Sequence, residues 1–520
     1  MITGWSAAQV RAAEEPLLAA GQPLMLRAAR AVADHVLTVS EATSGARILV
    51  LAGAGANGGD GLHAAAMLRE AGLTADAITA ADRCHEEGAA ALTAAGGTLH
   101  PLAALEPDQL TELVSGSALV LDALLGIGGR PEVPAALTPL LDEVWQSGVP
   151  VIAVDLPSFV DATTGTAAPE ALPARETVTF GAVKTGLLLP GGAELAGRVH
   201  LVELGLEDHL PGEPAVERFE DAEVRAFLPR PDRASTKYRR GVVALAAGSD
   251  AYPGAAVLAV SGAARTGAGM VRCLAPQRVL DLVLAARPET VGHRIERADG
   301  GDRAIDLAAV GRTDALVVGP GLPPEDPRAS AGVHRLRRDL TDTAGLPGTA
   351  PGRIDRGVID AGALAVLDPG DRFGPDVVLT PHRGEAERLA ARLAIDQDLP
   401  GPELARALAA ATGATVLLKG AITLIAPGDG RRLRSQDDAT SQLATAGTGD
   451  VLAGILGTLL AAGLRGPDAA ALAALLHGRA GRAASHDGLH PLVALDVVDH
   501  LPAAIGSILA SGPDGERGVR

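Results

Sequence analysis

Residues 443–459 read LATAGTGDVLAGILGTL, a turn of small residues that carries one Asp and runs straight into an apolar helix. Gly447 and Gly449 alternate with Ala446 and Thr448, which leaves bare N–H groups at a helix start whose dipole favours an anion such as phosphate. Asp450, in the first helical turn, can accept the proton of a hydroxyl that attacks that phosphate. The same residues also suit an ordinary N-capped helix entered through a Gly-rich loop. A second small-residue turn, 52–60 (AGAGANGGD), places Gly53, Gly55 and Gly58 at dinucleotide-fingerprint spacing, with Asp82 near where a ribose-binding acid belongs. Its continuation Asn57-Gly58-Gly59-Asp60-Gly61 adds an amide and a carboxylate that a plain fingerprint does not need.

These residues need elements to position them. Helical spacing over 6–36 breaks around 21–23, and a strand is expected at 47–51, with the turn 52–60 and a helix over 61–70 after it. Further strands are expected at 73–79, 118–121, 151–154 and 178–180, with helices between several of them. Strands alternating with helices make a mostly parallel, doubly wound sheet, whose strand C-termini converge on one crevice. Asp122, followed by 124–130 (LLGIGGR), and Asp155, followed by Leu156-Pro157-Ser158, stand at two of those ends. Asn57, Asp122, Asp155 and Ser158 can therefore meet, as hard oxygen ligands for a cation with a carboxylate to spare for proton transfer, or as ordinary turn-forming residues.

Residues 205–232 are rich in Pro and acid and then turn basic, as a linker with a short helix near 221–228 would. Beyond it, strands are expected at 242–246, 270–274, 315–318, 357–360, 377–379, 415–418 and 423–425, with a helix over 254–266. Each strand runs into small or polar residues on what should be one sheet edge, the place for a ligand. Gly319 and Gly321 flank Pro320 in a rigid turn that lets a substrate approach backbone. His382 can hydrogen-bond a substrate ring or serve structure alone, and Lys419 at a strand end suits a nucleotide phosphate. His477 reads as a packing residue, Glu385 and Glu387 as a solvated first helical turn, and 322–356 as irregular and Pro-rich.

The chain has 520 residues, more than one core supports, so at least two domains are expected. Apolar residues make up 47% and aromatic residues only 2%, so cores are aliphatic and base-stacking platforms are absent. A formal charge of −18 argues against nucleic-acid and membrane-surface partners and for a small soluble substrate. Cys84 and Cys273 make no spaced pair, which argues against a disulfide framework or a zinc site. No apolar stretch is long enough to span a bilayer, and 1–15 lacks a basic segment followed by an apolar run, so a cytoplasmic protein is expected. Lysine survives in an arginine-rich chain only at Lys184, Lys237 and Lys419, where a compact ammonium can serve better than a planar fork.

Asn57 to Gly61, Asp122 to Gly128, Asp155 to Ser158 and 177–192 (TVTFGAVKTGLLLPGG) resemble the NAD(P)H-hydrate epimerase family. The resemblance implies potassium held by Asn57, Asp122 and Ser158, and substrate contacts from Asn57, Gly58, Gly59, Asp60, Gly126, Gly128 and Asp155. It also implies acid/base work by Asp155 with Lys184. Two positions depart from the family's pattern: Phe159 stands where Gly is usual, against the ion site, and Ala56 where a second Asn is usual. Residues 237–241, 248–269 (GSDAYPGAAVLAVSGAARTGAG), 319–322, 380–385, 419–425 and 443–454 resemble the ribokinase-like fold and, within it, the NAD(P)H-hydrate dehydratase family. That implies ADP or ATP, with magnesium, phosphorylating the hydroxyl of the S-hydrate of NADH or NADPH, and phosphate loss restoring the dinucleotide. Asp450 would be the base, and Ala446, Gly447, Thr448 and Gly449 the anion hole. Lys419, Gly420, Ala421, Ile422 and Thr423 would contact the nucleotide, and Gly254, Ala255, Gly321 and His382 the substrate. The family often shows a second Asp after the strand at Ile359, where this chain reads Asp360-Ala361-Gly362-Ala363.

The expected architecture is α/β, an N-terminal Rossmann-like doubly wound sheet domain followed by a C-terminal ribokinase-like α/β domain. The expected bounds are 1–210 for the epimerase domain, 211–232 for a linker, 233–512 for the dehydratase domain and 513–520 for a tail. Bifunctional repair enzymes have this order, and a homo-oligomer is expected. The rival readings are a vitamin-type small-molecule kinase with a Rossmann-like partner, and a first half that senses dinucleotide or oligomerises without catalysis.

Overall fold

The computed structural model describes residues 1–39, 46–295, 310–338 and 354–510. The expected tail 513–520 and part of the stretch 322–356 lie outside the described residues. The chain divides into two compact units, 2–217 and 218–520, with Met1 falling in the latter.

The first unit carries β1 (Ile2–Trp5), β2 (Arg47–Ala52), β3 (Thr74–Thr79), β4 (Leu99–Pro101), β5 (Leu119–Ala123), β6 (Val151–Val154), β7 (Glu176–Phe180), β8 (Val183–Lys184) and β9 (Arg198–Val202). A 7-stranded sheet runs β4-β3-β2-β5-β6-β7-β9, with every neighbouring pair parallel. Both faces are covered, so β2 reads as an unbroken apolar run. Ile48 and Val50 pack with Val32 and Val36 of the helix Leu24–Val39. Leu49 and Leu51 point the other way, onto Leu140 and Val144 of the helix Thr138–Ser147. Each such side chain contributes roughly 1.5–3 kcal/mol by burial. Strand order reverses between β2 and β5, so their C-terminal ends open the crevice of a Rossmann-like sheet.

A short strand, β10 (Val216–Arg218), lies at the division. The second unit then carries β11 (Val242–Ala246), β12 (Met270–Ala275), β13 (Val291–Arg294), β14 (Ala315–Val318), β15 (Gly357–Ile359), β16 (Val377–Leu379), β17 (Thr415–Leu418), β18 (Thr423–Ala426) and β19 (Leu433–Gln436). They order as β13-β12-β11-β14-β15-β16-β17-β18-β19, parallel as far as β17 and antiparallel from there. Ala246 pairs with Val318, Val318 with Ile359 and Ile359 with Leu379, so the C-terminal ends of β11, β14, β15 and β16 lie level. The helix Thr448–Ala461 is buried from Val451 onward and packs on the helix Pro253–Thr266. The approach is close because Gly454 has no side chain, and a Cβ there would stand 2.0 Å from the Ala259 carbonyl oxygen.

Two local expectations are corrected. The first Gly-rich segment is not a turn as far as Asp60, because the helix begins at Ala56 and runs to Glu70. Glycine disfavours a helix by about 1 kcal/mol per residue, which hides this start in the sequence. Packing demands it nonetheless, since a Cβ on Gly58 would stand 2.0 Å from the Gly53 carbonyl oxygen. Within 322–356, the chain is not wholly irregular: Pro327–Leu336 is a helix, started by Pro327 and capped by Asp326, whose side chain accepts from the Arg328 N–H.

Candidate active sites

In the second unit the amino end of the helix Thr448–Ala461 has no side-chain cap. Some helices are capped by a side chain, as Ser6 caps Ala7–Ala19 and Asp326 caps Pro327–Leu336, and others are not. The first-turn N–H groups of Thr448 and Gly449 have no acceptor within the helix, and the first bonded amide of that turn is Val451, to the Gly447 carbonyl at 3.3 Å. Gly447 holds φ 89°, a conformation open to glycine, and a Cβ there would stand 2.4 Å from Leu258 Cδ1. The turn is tied from behind. The Thr448 hydroxyl donates to the carbonyls of Leu443 (2.8 Å) and Thr445 (3.0 Å), and His477 Nε2 lies 3.0 Å from the Thr448 carbonyl. Burial pushes the His477 pKa down to about 4, so the ring is neutral and Nε2–H donates. His477, read as a packing residue, thus also holds this turn.

Lys419 follows β17 and faces this helix end, since a Cβ on Gly449 would be 3.6 Å from its Nζ. The ammonium lies 3.1 Å from Asp360 Oδ1 and 3.7 Å from Glu385 Oε2. Burial opposes the Lys419 charge, but Asp360, Glu385 and Asp450 outweigh it and raise the pKa. Asp360, at the end of β15, is buried and accepts from the Thr380 hydroxyl at 2.8 Å. Sequence reasoning named it only within a departing motif and gave it no role; its place at a strand end was the available signal. Asp450 completes the group. Burial first, then Asp360, raise its pKa against the opposing pull of Lys419, to about 7. Glu385 is corrected from a solvated residue to a member of this cluster, while Glu387 is half-buried and pairs with Arg383.

The expected substrate contacts lie along the same edge. Gly321 abuts Ala255, with a would-be Cβ 2.5 Å from the Ala255 Cβ, and the Gly248 N–H donates to the Pro320 carbonyl at 2.8 Å. Gly254 is exposed beside open space. Arg328, missed in the sequence, is 3% exposed and donates to the carbonyls of Gly248 (2.7 Å) and Leu274 (3.1 Å), which fixes this turn from beneath. His382 caps its own helix, accepting from the Glu385 N–H at 3.4 Å, and bridges to Lys419 through backbone. Its ring remains mostly exposed. Gly420, Ala421 and Ile422 turn the chain between β17 and β18, and Thr423 begins β18 with its hydroxyl on the Gly420 carbonyl. A cavity of about 310 Å³ adjoins the cluster through Glu385, lined also by Ala361, Gly362, Arg388 and Arg392.

In the first unit Asn57, Asp60, Asp155, Lys184 and Gly126 converge at the switch point. A Cβ on Gly126 would meet Asn57 Oδ1 at 3.0 Å and Asp155 Oδ2 at 3.2 Å, so one missing side chain leaves room beside both. Lys184 is 1% exposed and donates to Asp155 Oδ1, to the Phe180 carbonyl (2.8 Å) and to the Thr179 hydroxyl (3.2 Å), which uses all three of its protons. Burial, followed by Asp155 and Glu14, holds the Asp60 carboxyl well above its ordinary pKa. Asp155 itself has φ 69°, a strained backbone for a residue with a side chain. Gly58 and Gly59 lie buried in the helix turn that carries Asn57 and Asp60. Gly128 lies beside Arg11 instead, its would-be Cβ 3.3 Å from Nη2.

Asp122 is fully covered. It accepts from the Ser158 hydroxyl (2.5 Å), the Ser158 N–H (2.8 Å) and the Leu124 N–H (3.3 Å), yet burial still raises its pKa. Asn57 Nδ2 is buried with no partner among the described residues. Phe159, expected to crowd this place, is corrected: its ring is buried in the apolar cluster with Leu51, Leu124 and Leu172. It keeps the left-handed backbone, φ 67°, that a glycine would take freely. Ala56 is exposed at the helix start.

Residues 243–502 match the NAD(P)H-hydrate dehydratase family model, and residues 21–186 match that of the YjeF-related protein N-terminus. The bifunctional NAD(P)H-hydrate repair enzyme of Mycobacterium tuberculosis is 38% identical over 90% of this chain and 91% of its own length. This chain belongs to the bifunctional NAD(P)H-hydrate repair enzymes. The NAD(P)H-hydrate epimerase of Microbacterium testaceum is 46% identical over 40% of this chain and 81% of its own. A solved ADP/ATP-dependent NAD(P)H-hydrate dehydratase from Bacillus subtilis, co-crystallised with ATP and Mg2+, is 31% identical over 56% of this chain and 99% of that one, with a TM-score of 0.48. Family membership accounts for both halves, which neither rival reading does, and the α/β architecture, with a sheet whose strand order reverses once in each unit, holds. Among the described residues no helix is long and apolar enough to cross a membrane.

Proposed function

We infer that this repair enzyme acts on hydrated NADH and NADPH in two steps, epimerising the R and S hydrates in the first unit and dehydrating the S-hydrate in the second. The observation that carries the reading is the Asp450, Lys419 and Asp360 cluster set against an uncapped helix N-terminus. A nucleotide, ADP or ATP, spans Lys419–Thr423 and the amides of Ala446 to Gly449, with magnesium neutralising its phosphates. Asp450 takes the proton of the substrate hydroxyl as that oxygen attacks the terminal phosphorus, and the amides and Lys419 bear the charge that develops. Phosphate then leaves with a proton from the neighbouring carbon, and the ring double bond returns. Gly254, Ala255, Gly321 and His382 seat the dinucleotide.

At the other site Asp155 does the acid/base work, giving a proton to the hydroxyl as the bond from the hydrated carbon to oxygen breaks and taking it back from water as that bond re-forms on the other face, and Lys184 holds that carboxylate in place. Asp60 and Asn57 contact the ring. A potassium ion at Asn57, Asp122 and Ser158 fits this structure, because Asp122 is a buried carboxylate against which the described residues set no cationic side chain. When bound, the ion supplies that charge and tethers the loops after β2, β5 and β6. Separate assays of R- and S-hydrates test the assignment. Asp155→Asn is expected to leave the R-hydrate unconsumed while the S-hydrate is still repaired; a slowed S-hydrate reaction would place Asp155 outside the epimerase step.

A further inference from the structure

His35, Glu176 and His200 make a group that the reaction leaves unused. Glu176 begins β7, His200 lies on β9, the edge strand of the first sheet, and His35 lies on the helix Leu24–Val39 that covers that sheet. Both imidazoles turn the same nitrogen to the same oxygen: Nε2 of His35 is 3.0 Å and Nε2 of His200 2.6 Å from Glu176 Oε2, and one ligand atom from each residue lies within 4.8 Å of the others. Two imidazoles and a carboxylate are borderline-soft ligands suited to zinc, whose bonds of about 2.0–2.2 Å set tetrahedral ligand atoms roughly 3.3 Å apart. The two histidine–carboxylate distances already lie close to that spacing. The His35 and Glu176 side chains are 16% and 10% exposed and His200 is 32% exposed, which leaves an open side for a water as fourth ligand.

We propose that His35, Glu176 and His200 bind one zinc ion that pins the covering helix to β7 and the edge strand β9. The site is structural. Glu176 stands at the start of β7, whereas the Thr179 and Asp155 side chains meet at the opposite end, about 10 Å along the strand. Among the described residues the Glu176 carboxylate meets the two imidazoles and, at 3.8 Å, the exposed Arg175 guanidinium; the ion would put three bonds at this point, joining elements far apart in sequence.

The test uses the full chain, stripped of metal with a chelator and titrated with Co2+, whose tetrahedral complexes absorb strongly in the visible. One equivalent is expected to produce that band, and Zn2+ to bleach it. His35→Ala and His200→Gln should each abolish it while R-hydrate epimerisation continues. Zn2+ should raise the melting temperature of the wild-type protein and leave that of His200→Gln unmoved. No band, or a band that survives both substitutions, overturns the proposal and leaves a hydrogen-bonded triad. Should a variant fail to fold, histidine NMR of the wild-type chain decides: the Nε2 resonances of His35 and His200 must shift together with Zn2+, and if they stay in place the site does not exist.

Discussion

A carboxylate that removes a proton near neutrality works best with its own pKa close by, and Asp450 is held at about 7 by burial and by Asp360. The sign follows directly: below about pH 7 the acid is protonated and cannot act as base, so kcat/KM for the S-hydrate should fall about tenfold per pH unit on the acid side. A profile that stays flat to pH 5 would exclude Asp450 as that base. Lys419 works in the opposite direction, so Lys419→Met at saturating nucleotide should move the acid limb to higher pH. Asp450→Asn should cost about 10²–10⁴-fold in dehydration, the usual range for a lost general base. Phe159 poses a different balance. Its left-handed backbone costs roughly 1–3 kcal/mol, and its buried ring contributes about 3–5 kcal/mol. Phe159→Gly should therefore destabilise the first unit by about 2 kcal/mol, measured by denaturant unfolding, in spite of relieving the strain.

Among elements, the helix Thr448–Ala461 carries the proposed chemistry, since its first turn has no side-chain cap and holds Asp450 near Lys419 and Asp360. His477 lies on the neighbouring helix Gly466–Ala484 and holds the Thr448 carbonyl. His477→Ala removes one hydrogen bond of about 1 kcal/mol, so the nucleotide KM should rise roughly fivefold with little change in kcat. An unchanged KM would show that the turn holds its shape without the ring. This helix was legible in the sequence because Gly447 to Asp450 combine a small-residue turn with an acid and then an apolar run. The helix Ala56–Glu70 was misplaced by five residues at its start because its first turns are built of Gly58, Gly59 and Gly61, which local propensity reads as loop. Tertiary contacts explain them: a Cβ would stand 2.0 Å from the Gly53 carbonyl oxygen at Gly58, 2.8 Å from the His85 ring at Gly59 and 2.6 Å from the Ala123 Cβ at Gly61. Asp360, Glu385 and Arg328 were missed as site residues for a related reason. Their roles arise where distant segments meet, Asp360 and Glu385 beside Lys419 at the ends of β15 to β17 and Arg328 on the carbonyls that follow β11 and close β12, and none carries a signature of spacing.

At the scale of the whole chain, each unit contains its own core and its own chemical group: Asp155 with Lys184 in 2–217, and Asp450 with Lys419 and Asp360 in 218–520. The named residues of each group come from one unit, and the S-hydrate that leaves the first site is a diffusible molecule. The two activities should therefore be separable by single substitutions and recoverable by mixing. Asp155→Asn alone is expected to repair S-hydrate and leave R-hydrate behind, and Asp450→Asn alone to interconvert the hydrates without forming NADH. An equimolar mixture of the two variants, given pure R-hydrate and nucleotide, should restore NADH formation to about half the wild-type rate, since half the sites of each kind are active, once intermediate has accumulated. The measurement is absorbance at the reduced-nicotinamide band after adding R-hydrate. A mixture that stays as silent as either variant alone would mean that the intermediate must pass within one molecule, and that the two sites depend on each other in a way their separate cores do not require.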